Sequence, residues 1–281
     1  MANIRVPIDV NGNLRHSGAV SLLEKHGIAA PAEYVALRER VDSFKAISRP
    51  LTDRLIEAVL SGKDVDQVAD YRAAAIAEQV RSDVDETVVA AGWRRLRELY
   101  QVVAVDNYRA IAARWDAAAA EFSAAVGIVS PTATADEVIE LPAASQRAWK
   151  RGKEISAQLD ELSILLQTSA MLTGIENAEN AANLAVTDRW KDGMKSMLIG
   201  LCADPGDVHR RKVWLAFDQG WSYLVELGVE LKAADLQTYQ PYRRPKPMLQ
   251  RKQLRPDGLY EHVPVDPEDP DYVPVPNHEA P

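Results

Sequence analysis

Apolar positions in the middle of the chain recur at steps of three and four residues, the spacing of one face of an α-helix. Residues 64–127 contain no proline and a single internal glycine, Gly92. The pattern predicts one long helix, or two joined at Gly92, since glycine inside a helix costs about 1 kcal/mol relative to alanine. The apolar face comprises Val68, Tyr71, Ala75, Ile76, Val80, Val84, Val88, Ala91, Leu96, Leu99, Val103, Tyr108, Ile111, Trp115, Ala118, Phe122 and Val126.

The same spacing continues after a break. A turn region at 128–142, with a short helix at 135–140, is followed by a second predicted helix at 143–172 and a weaker one at 175–203. A helix as long as 64–127 needs a partner to bury its apolar face. We therefore expect residues 63–203 to form a long antiparallel helical hairpin.

Shorter helices are predicted on both sides of this hairpin. Residues 16–62 form a short-helix N-terminal region, in which glycine and proline separate helices at 17–26, 31–48 and 52–61. Residues 204–239 form a C-terminal aromatic helix, running from about 207 to 236, whose Trp214 and Trp221 are candidate interface residues.

Residues 1–15 are predicted to be an extended N-terminal arm. Ile4, Val6 and Ile8 alternate with polar residues or proline, a period of two that is typical of a strand. Pro7 lacks an N–H, which restricts such a strand to a sheet edge. Two interpretations stay open: a frayed terminus, or an arm that pairs with a neighbouring chain.

Residues 240–281 are predicted to be a proline-rich extended tail without regular secondary structure, because they hold ten of the sixteen prolines. A basic stretch at 243–255 precedes an acidic one at 257–271. We expect the basic stretch to meet an acidic patch and the acidic stretch a basic one, as in a recognition strip. The alternative is a passive solubilising tail. The interaction candidates are Arg243, Arg244, Tyr260 and Tyr272.

Composition favours a cytoplasmic helical protein. The 281 residues are 47% hydrophobic, and 41 are alanine, which suits closely packed long helices. The single cysteine excludes an internal disulfide, and neither a secretory signal nor an apolar run of membrane-spanning length is evident. Arginine outnumbers lysine 22 to 11, a bias that with the high alanine content is typical of high-GC bacterial or phage coding.

No motif indicates chemistry. Phosphate-binding glycine loops, nucleophile elbows and paired histidine motifs are all missing from the sequence. Cys202 and His209 are too few ligands for a structural zinc site. We therefore predict no catalytic, cofactor-binding or metal-binding residues, no cofactor and no enzyme activity.

The whole pattern predicts an all-α fold: an elongated long-helix hairpin or bundle with an extended N-terminal arm and a proline-rich C-terminal tail. It favours a structural or interaction protein of a larger assembly, such as a phage virion or head-assembly component, with protein subunits (its own copies included) as partners. The location would then be cytoplasmic, or virion-associated if phage-encoded. Two alternatives are retained, a regulatory nucleic-acid-binding helical protein and an enzyme without a recognisable motif. The net charge of −8 disfavours general nucleic-acid binding, and no membrane partner is expected.

Overall fold

The computed structural model describes residues 12–46, 50–62, 65–175, 187–256 and 258–272. These residues are mostly helical, as the sequence predicts. The helices are α1 (Asn13–Lys25), α2 (Ala32–Lys45), α3 (Pro50–Leu60), α4 (Val65–Val126), α5 (Ala135–Ile139), α6 (Ala143–Leu172), α7 (Thr187–Cys202), α8 (Arg210–Phe217) and α9 (Trp221–Glu226). The strands form two small antiparallel sheets that the sequence did not predict: β1 (Ala203–Asp204) with β2 (Glu230–Leu231), and β3 (Leu249–Leu254) with β4 (Tyr260–Val265).

The chain divides at Tyr108 into two compact units, and α4 runs through the division. In the N-terminal unit, which ends at Asn107, the core includes an aromatic cluster. The rings of His16, Tyr34 and Tyr100 lie with their centroids 5.8 to 6.0 Å apart. This cluster joins α1, α2 and α4, and burial lowers the pKa of His16 to about 4, which keeps its imidazole neutral.

Gly92 does not break the long helix. Helix α4 is continuous through it, and a Cβ placed on Gly92 would lie 2.6 Å from Cγ2 of Val41 on α2. The glycine therefore permits α2 to approach α4 closely, so the alternative of two helices joined at Gly92 was wrong.

The predicted apolar face of α4 is buried over only part of its length. From Leu96 to Phe122 its members are mostly buried, whereas Ile76 and Val88 in the first half are about half exposed, at 54% and 46%. The spacing predicted the helix correctly but not how far its apolar face is covered.

The core of the C-terminal unit is built from α6, α7, α8, α9 and the last part of α4. Trp221 packs edge-on against Trp115, with ring centroids 5.1 Å apart, and its Nε1 donates to Asp160 Oδ1 at 2.8 Å. Arg151 on α6 pairs with Glu121 on α4 at 2.6 Å. Helices α4 and α6 thus meet beside the turn that joins them, and a hairpin extending over all of 63–203 remains a prediction; residues 176–186 lie outside the described part.

The prediction of one helix at 207–236 was wrong. Gly220 (φ 124°) lies between α8 and α9 as the N-cap of α9, and Gly228 (φ 85°) follows the end of α9; residues other than glycine rarely adopt either conformation. The chain then returns as β2, where Leu231 pairs with Ala203 in β1.

The predicted arm at 1–15 was too long by three residues, because α1 begins at Asn13. Gly12 has φ −81° and accepts the first helical hydrogen bond from the N–H of His16. Ile4, Val6 and Ile8 lie outside the described residues. Among the described helices, none has the length and apolar character needed to cross a membrane.

Candidate functional site

The segment after residue 239 crosses the surface of α7. The N–H of Tyr242 donates to the carbonyl of Ser196 at 2.9 Å, and Oγ of Ser196 donates to the carbonyl of Tyr242 at 2.5 Å. A Cβ on Gly200, one turn further along α7, would lie 2.6 Å from the carbonyl oxygen of Gln240. The absence of a side chain at Gly200 therefore allows the backbone of the segment to pack directly against α7.

Ion pairs hold the later part of this segment. Arg211 on α8 donates to both oxygens of Asp266, from Nε at 2.5 Å and from Nη2 at 2.9 Å. Oε1 of Glu268 accepts from Arg210 at 3.2 Å and from Arg243 at 2.6 Å. We call these five residues the ionic clamp. Such paired guanidinium bonds fix direction as well as distance, so the clamp sets the path of the segment.

The clamp also stabilises the ionised form of one of its carboxyl groups. The hydrogen bonds from Arg211 lower the pKa of Asp266 from 3.8 to about 2. Glu268 lies between two guanidinium groups, and its side chain is 8% exposed whereas those of Arg210 and Arg243 are 34% and 57% exposed.

The basic residues at the start of the segment are paired as well. Arg244 lies 2.7 Å from Asp192 on α7, and Arg243 belongs to the clamp. Arg244 therefore holds the segment to α7, whereas Arg243 joins the two ends of the segment to each other through Glu268. The pairs of Glu268 with Arg210, of Asp266 with Arg211 and of Arg244 with Asp192 agree with the expected opposite signs at these residues, and for the rest of the two stretches the expectation stays a prediction.

A polar cleft of about 550 Å³ lies beside the clamp. Its walls carry charges of both signs, and Nδ1 of His209 and Oε2 of Glu268 are buried without a protein hydrogen-bond partner. Nε2 of His209 lies 3.2 Å from the carbonyl of Glu268, which ties the ring to the segment. The lining residues are Asp204, Pro205, Gly206, Asp207, Val208, His209, Arg210, Tyr242, Arg243, Lys246, Pro267, Glu268 and Pro270.

Between its two attachments the segment forms a β-hairpin. Leu249 pairs with Val265 and Leu254 with Tyr260, in a six-residue antiparallel ladder. The turn closes with the N–H of Arg255 donating to the carbonyl of Leu259 at 2.8 Å, and Gly258 takes φ 82°. The prediction that 240–281 lacks regular secondary structure was therefore wrong for these residues.

The hairpin exposes apolar side chains. All six residues of β3 are exposed, and Leu254, Leu259 and Tyr260 are 58%, 63% and 62% accessible. The ammonium of Lys252 lies over the Tyr260 ring, 4.3 Å from its centre, and this cation–π contact stabilises one face of the hairpin. A two-stranded ribbon has few contacts of its own and is marginal in water, so its order depends on the attachments at both ends.

The other predicted candidates have different environments. Trp221 is core rather than interface, because it is 7% exposed and packs inside the C-terminal unit. Trp214 is partly exposed and lies 4.5 Å from the ammonium of Lys195. Tyr260 is exposed on the hairpin, and the partly exposed Tyr272 follows the clamp, its N–H donating to the carbonyl of Asp269 at 2.9 Å.

Lys195 is a buried ionisable residue that the sequence did not reveal, because nothing in its local pattern distinguishes it from a surface lysine on α7. Burial lowers its pKa, while Asp218 at 2.6 Å opposes that shift. Burial also raises the pKa of the Cys202 thiol. Over the described residues, no group of three or more histidine, cysteine, aspartate or glutamate side chains is arranged to hold a metal ion.

Comparison with known proteins adds no relative to this picture. No protein-family model matches the chain, and no curated protein or solved structure is detectably similar to it.

Proposed function

We propose that this protein is a non-enzymatic structural or interaction component of a larger assembly, and that the β3–β4 hairpin is the surface it offers. The observation that carries the proposal is a hairpin with exposed apolar side chains, held to the body at both ends. A solubilising tail needs neither the ionic clamp nor the contact at Gly200.

The nature of the attachment supports this function. Ser196 and Gly200 hold the segment before the hairpin, and Asp266 and Glu268 hold it afterwards. Fixing a binding element in advance lowers the entropy lost on association. An exposed apolar patch on such an element is typical of an interaction site, and tyrosine is among the residues enriched at interfaces.

The alternatives have less support among the described residues. Nucleic-acid binding would draw on the basic half of the segment, but Arg243 and Arg244 pair with carboxylates of this chain, and the net charge of −8 opposes the approach of a polyanion to the remaining cations. Activity of a motif-free enzyme would need converging ionisable groups, and in the cleft the guanidinium groups of Arg210 and Arg243 are already paired with the carboxylate of Glu268. Assembly within a phage virion, with the corresponding location, is the narrower form of the proposal and rests on the coding bias alone.

A paired set of surface variants tests the proposal. Replacing Leu254 and Tyr260 together by serine removes the apolar surface of the hairpin, whereas Leu215→Ser removes an equally exposed leucine (54%) from α8. We expect self-association in sedimentation velocity, or reproducible capture of one protein from the source cells, to fall about tenfold for the hairpin variant, since each lost contact is worth about 1 kcal/mol. Leu215→Ser should behave as the unmodified chain.

The result that contradicts the proposal is equally definite. If the unmodified chain is a monomer at all concentrations and captures the same proteins as both variants, the hairpin is not an interaction surface. Thermal unfolding of each variant shows that the comparison is made between folded chains.

A further inference from the structure

We propose that the outer edge of β3 is a docking site for an extended strand of a partner protein, and that this strand carries two consecutive acidic residues opposite Arg251 and Lys252. The inference rests on the proposed function and specifies its surface and its partner. It follows from the alternation of hydrogen-bonded and non-hydrogen-bonded pairs along the hairpin, and from the charges of β3.

The turn determines which residue pairs along the hairpin are hydrogen-bonded to each other and which are not. Arg255 and Leu259 are a hydrogen-bonded pair. Hydrogen-bonded and non-bonded pairs alternate along an antiparallel ladder, so the next bonded pairs are Gln253 with Glu261 and Arg251 with Val263. The residues between them direct their N–H and carbonyl groups away from the partner strand.

The two outer edges of the hairpin therefore differ. On β4 the outward positions are Tyr260, His262 and Pro264, and the proline has no N–H to offer, which interrupts that edge. On β3 the outward positions are Gln250, Lys252 and Leu254. All three are exposed and retain both backbone groups, which is the arrangement that strand addition requires.

Charge then selects the kind of strand. Arg251 and Lys252 are consecutive, so their side chains lie on opposite faces of the ribbon. Within the described part of the chain, neither Arg251 nor Lys252 has an acidic partner, and the ammonium of Lys252 lies 4.3 Å from the centre of the Tyr260 ring. A docked strand with acids at two successive positions would neutralise both cations, one on each face.

The same charges disfavour the simplest self-association. If β3 of a second copy paired with β3 in antiparallel fashion about the centre of the strand, the allowed registers would place either Lys252 opposite Lys252 or Arg251 opposite Arg251. Like charges directly opposite on neighbouring strands are destabilising. Exposed cations at a sheet edge are a known protection against unselective pairing with other strands, and a strand that carries acids opposite them avoids this repulsion.

Two synthetic peptides are the probes, each labelled with a fluorophore and titrated with the full chain. One has the sequence Val-Thr-Val-Glu-Glu-Val-Thr-Val, and the other has Lys-Lys in place of Glu-Glu. We expect the acidic peptide to bind about tenfold more tightly, because two cross-strand pairs change from opposite to like charge at up to about 1 kcal/mol each. Equal binding of the two peptides, or binding of neither, overturns the inference.

Proline substitution tests the edge itself. Gln250→Pro removes one outward N–H from β3, and His262→Pro removes one from β4, at the same kind of non-bonded position that Pro264 already occupies. We expect about a tenfold weaker complex for the first and no change for the second, since one edge hydrogen bond of about 1 kcal/mol is lost. If both variants bind alike, the edge of β3 is not the docking site.

Charge reversal gives a test that leaves the backbone unchanged. The double variant Arg251→Glu with Lys252→Glu should prefer the lysine peptide. A third peptide, residues 2–12 of this chain, tests the N-terminal arm; if it binds more tightly than the acidic peptide, the proposed partner is wrong and a second copy is the occupant. Loss of partner capture by the Leu254 and Tyr260 variant, with no peptide binding, would overturn the edge site and leave the proposed function standing.

Discussion

Single residues decide how closely the elements of this protein approach one another. Gly92 and Gly200 both lie inside helices, where glycine is unfavourable by about 1 kcal/mol. A close neighbour accounts for each glycine, since a Cβ would meet Val41 in one case and the backbone of Gln240 in the other. The closer packing thus offsets the cost to the helix.

The first prediction concerns Gly92. Gly92→Ala gains helix propensity but forces its methyl group against Val41, so we expect it to destabilise the protein by about 1 kcal/mol net, the clash exceeding the gain. In a Val41→Ala background the clash is gone, and the same change should stabilise by about 1 kcal/mol. Urea unfolding of the four chains checks this reversal; equal effects in both backgrounds would show that the contact is unimportant.

The second prediction concerns Asp266. Arg211 lowers the pKa of this carboxyl to about 2, from an ordinary 3.8. Folding therefore favours the ionised form, and this stabilisation is present above the pKa of the unfolded chain, about 4, and is lost as the pH falls toward 2. Asp266→Asn should cost about 1 kcal/mol at neutral pH and remove this part of the acid dependence.

Asp271→Asn is the matched control for the acid titration, because Asp271 is exposed and lies outside the clamp. Urea unfolding between pH 7 and pH 2 should give parallel profiles for this variant and the unmodified chain. A profile for Asp266→Asn that also runs parallel would mean that the ion pair does not contribute to stability.

At the scale of elements, sequence periodicity was informative for long helices and uninformative for the hairpin. Helices α4 and α6 follow from apolar spacing alone, because a three-to-four period sustained over many residues is typical of a helix and of no strand or loop. Strand β3, by contrast, has the sequence Leu-Gln-Arg-Lys-Gln-Leu and shows no alternation, and the prolines around it argued against any strand.

The partners that order the C-terminal segment could not be predicted from the sequence. Arg211 and Asp266 are 55 positions apart, and Ser196 and Tyr242 are 46 apart. No local pattern links residues so distant along the chain. The charge segregation of the tail did indicate which signs would meet, and the contacts of Asp266 and Glu268 agree with it.

The third prediction concerns the attachment of the segment to α7. Gly200→Ala places a methyl group where the backbone of 240–242 lies, and backbone cannot yield as a side chain can. We expect a loss of about 1 to 2 kcal/mol in urea unfolding, despite the better helix propensity. Gly152→Ala is the control, because its Cβ would meet nothing nearer than 3.4 Å. It should be neutral or slightly stabilising, and equal effects would contradict the docked segment.

At the scale of the whole molecule, the described residues form two helical units, of which the C-terminal one carries an attached hairpin. Attachment and exposure are separate properties, and the proposed function requires both. A hairpin that was attached but covered could not bind, and one that was exposed but unattached would be a passive tail.

Amide hydrogen exchange of the purified chain, resolved to single residues by NMR, tests the attached and exposed hairpin most directly. We predict that the N–H of Tyr242, bonded to Ser196, and those of Arg251 and Val263, bonded across the hairpin, exchange slowly. The outward N–H groups of Gln250 and Lys252 should exchange quickly in the same molecule. Uniformly fast exchange from 240 to 272 would contradict the proposed attachment, because the segment would then be a passive tail.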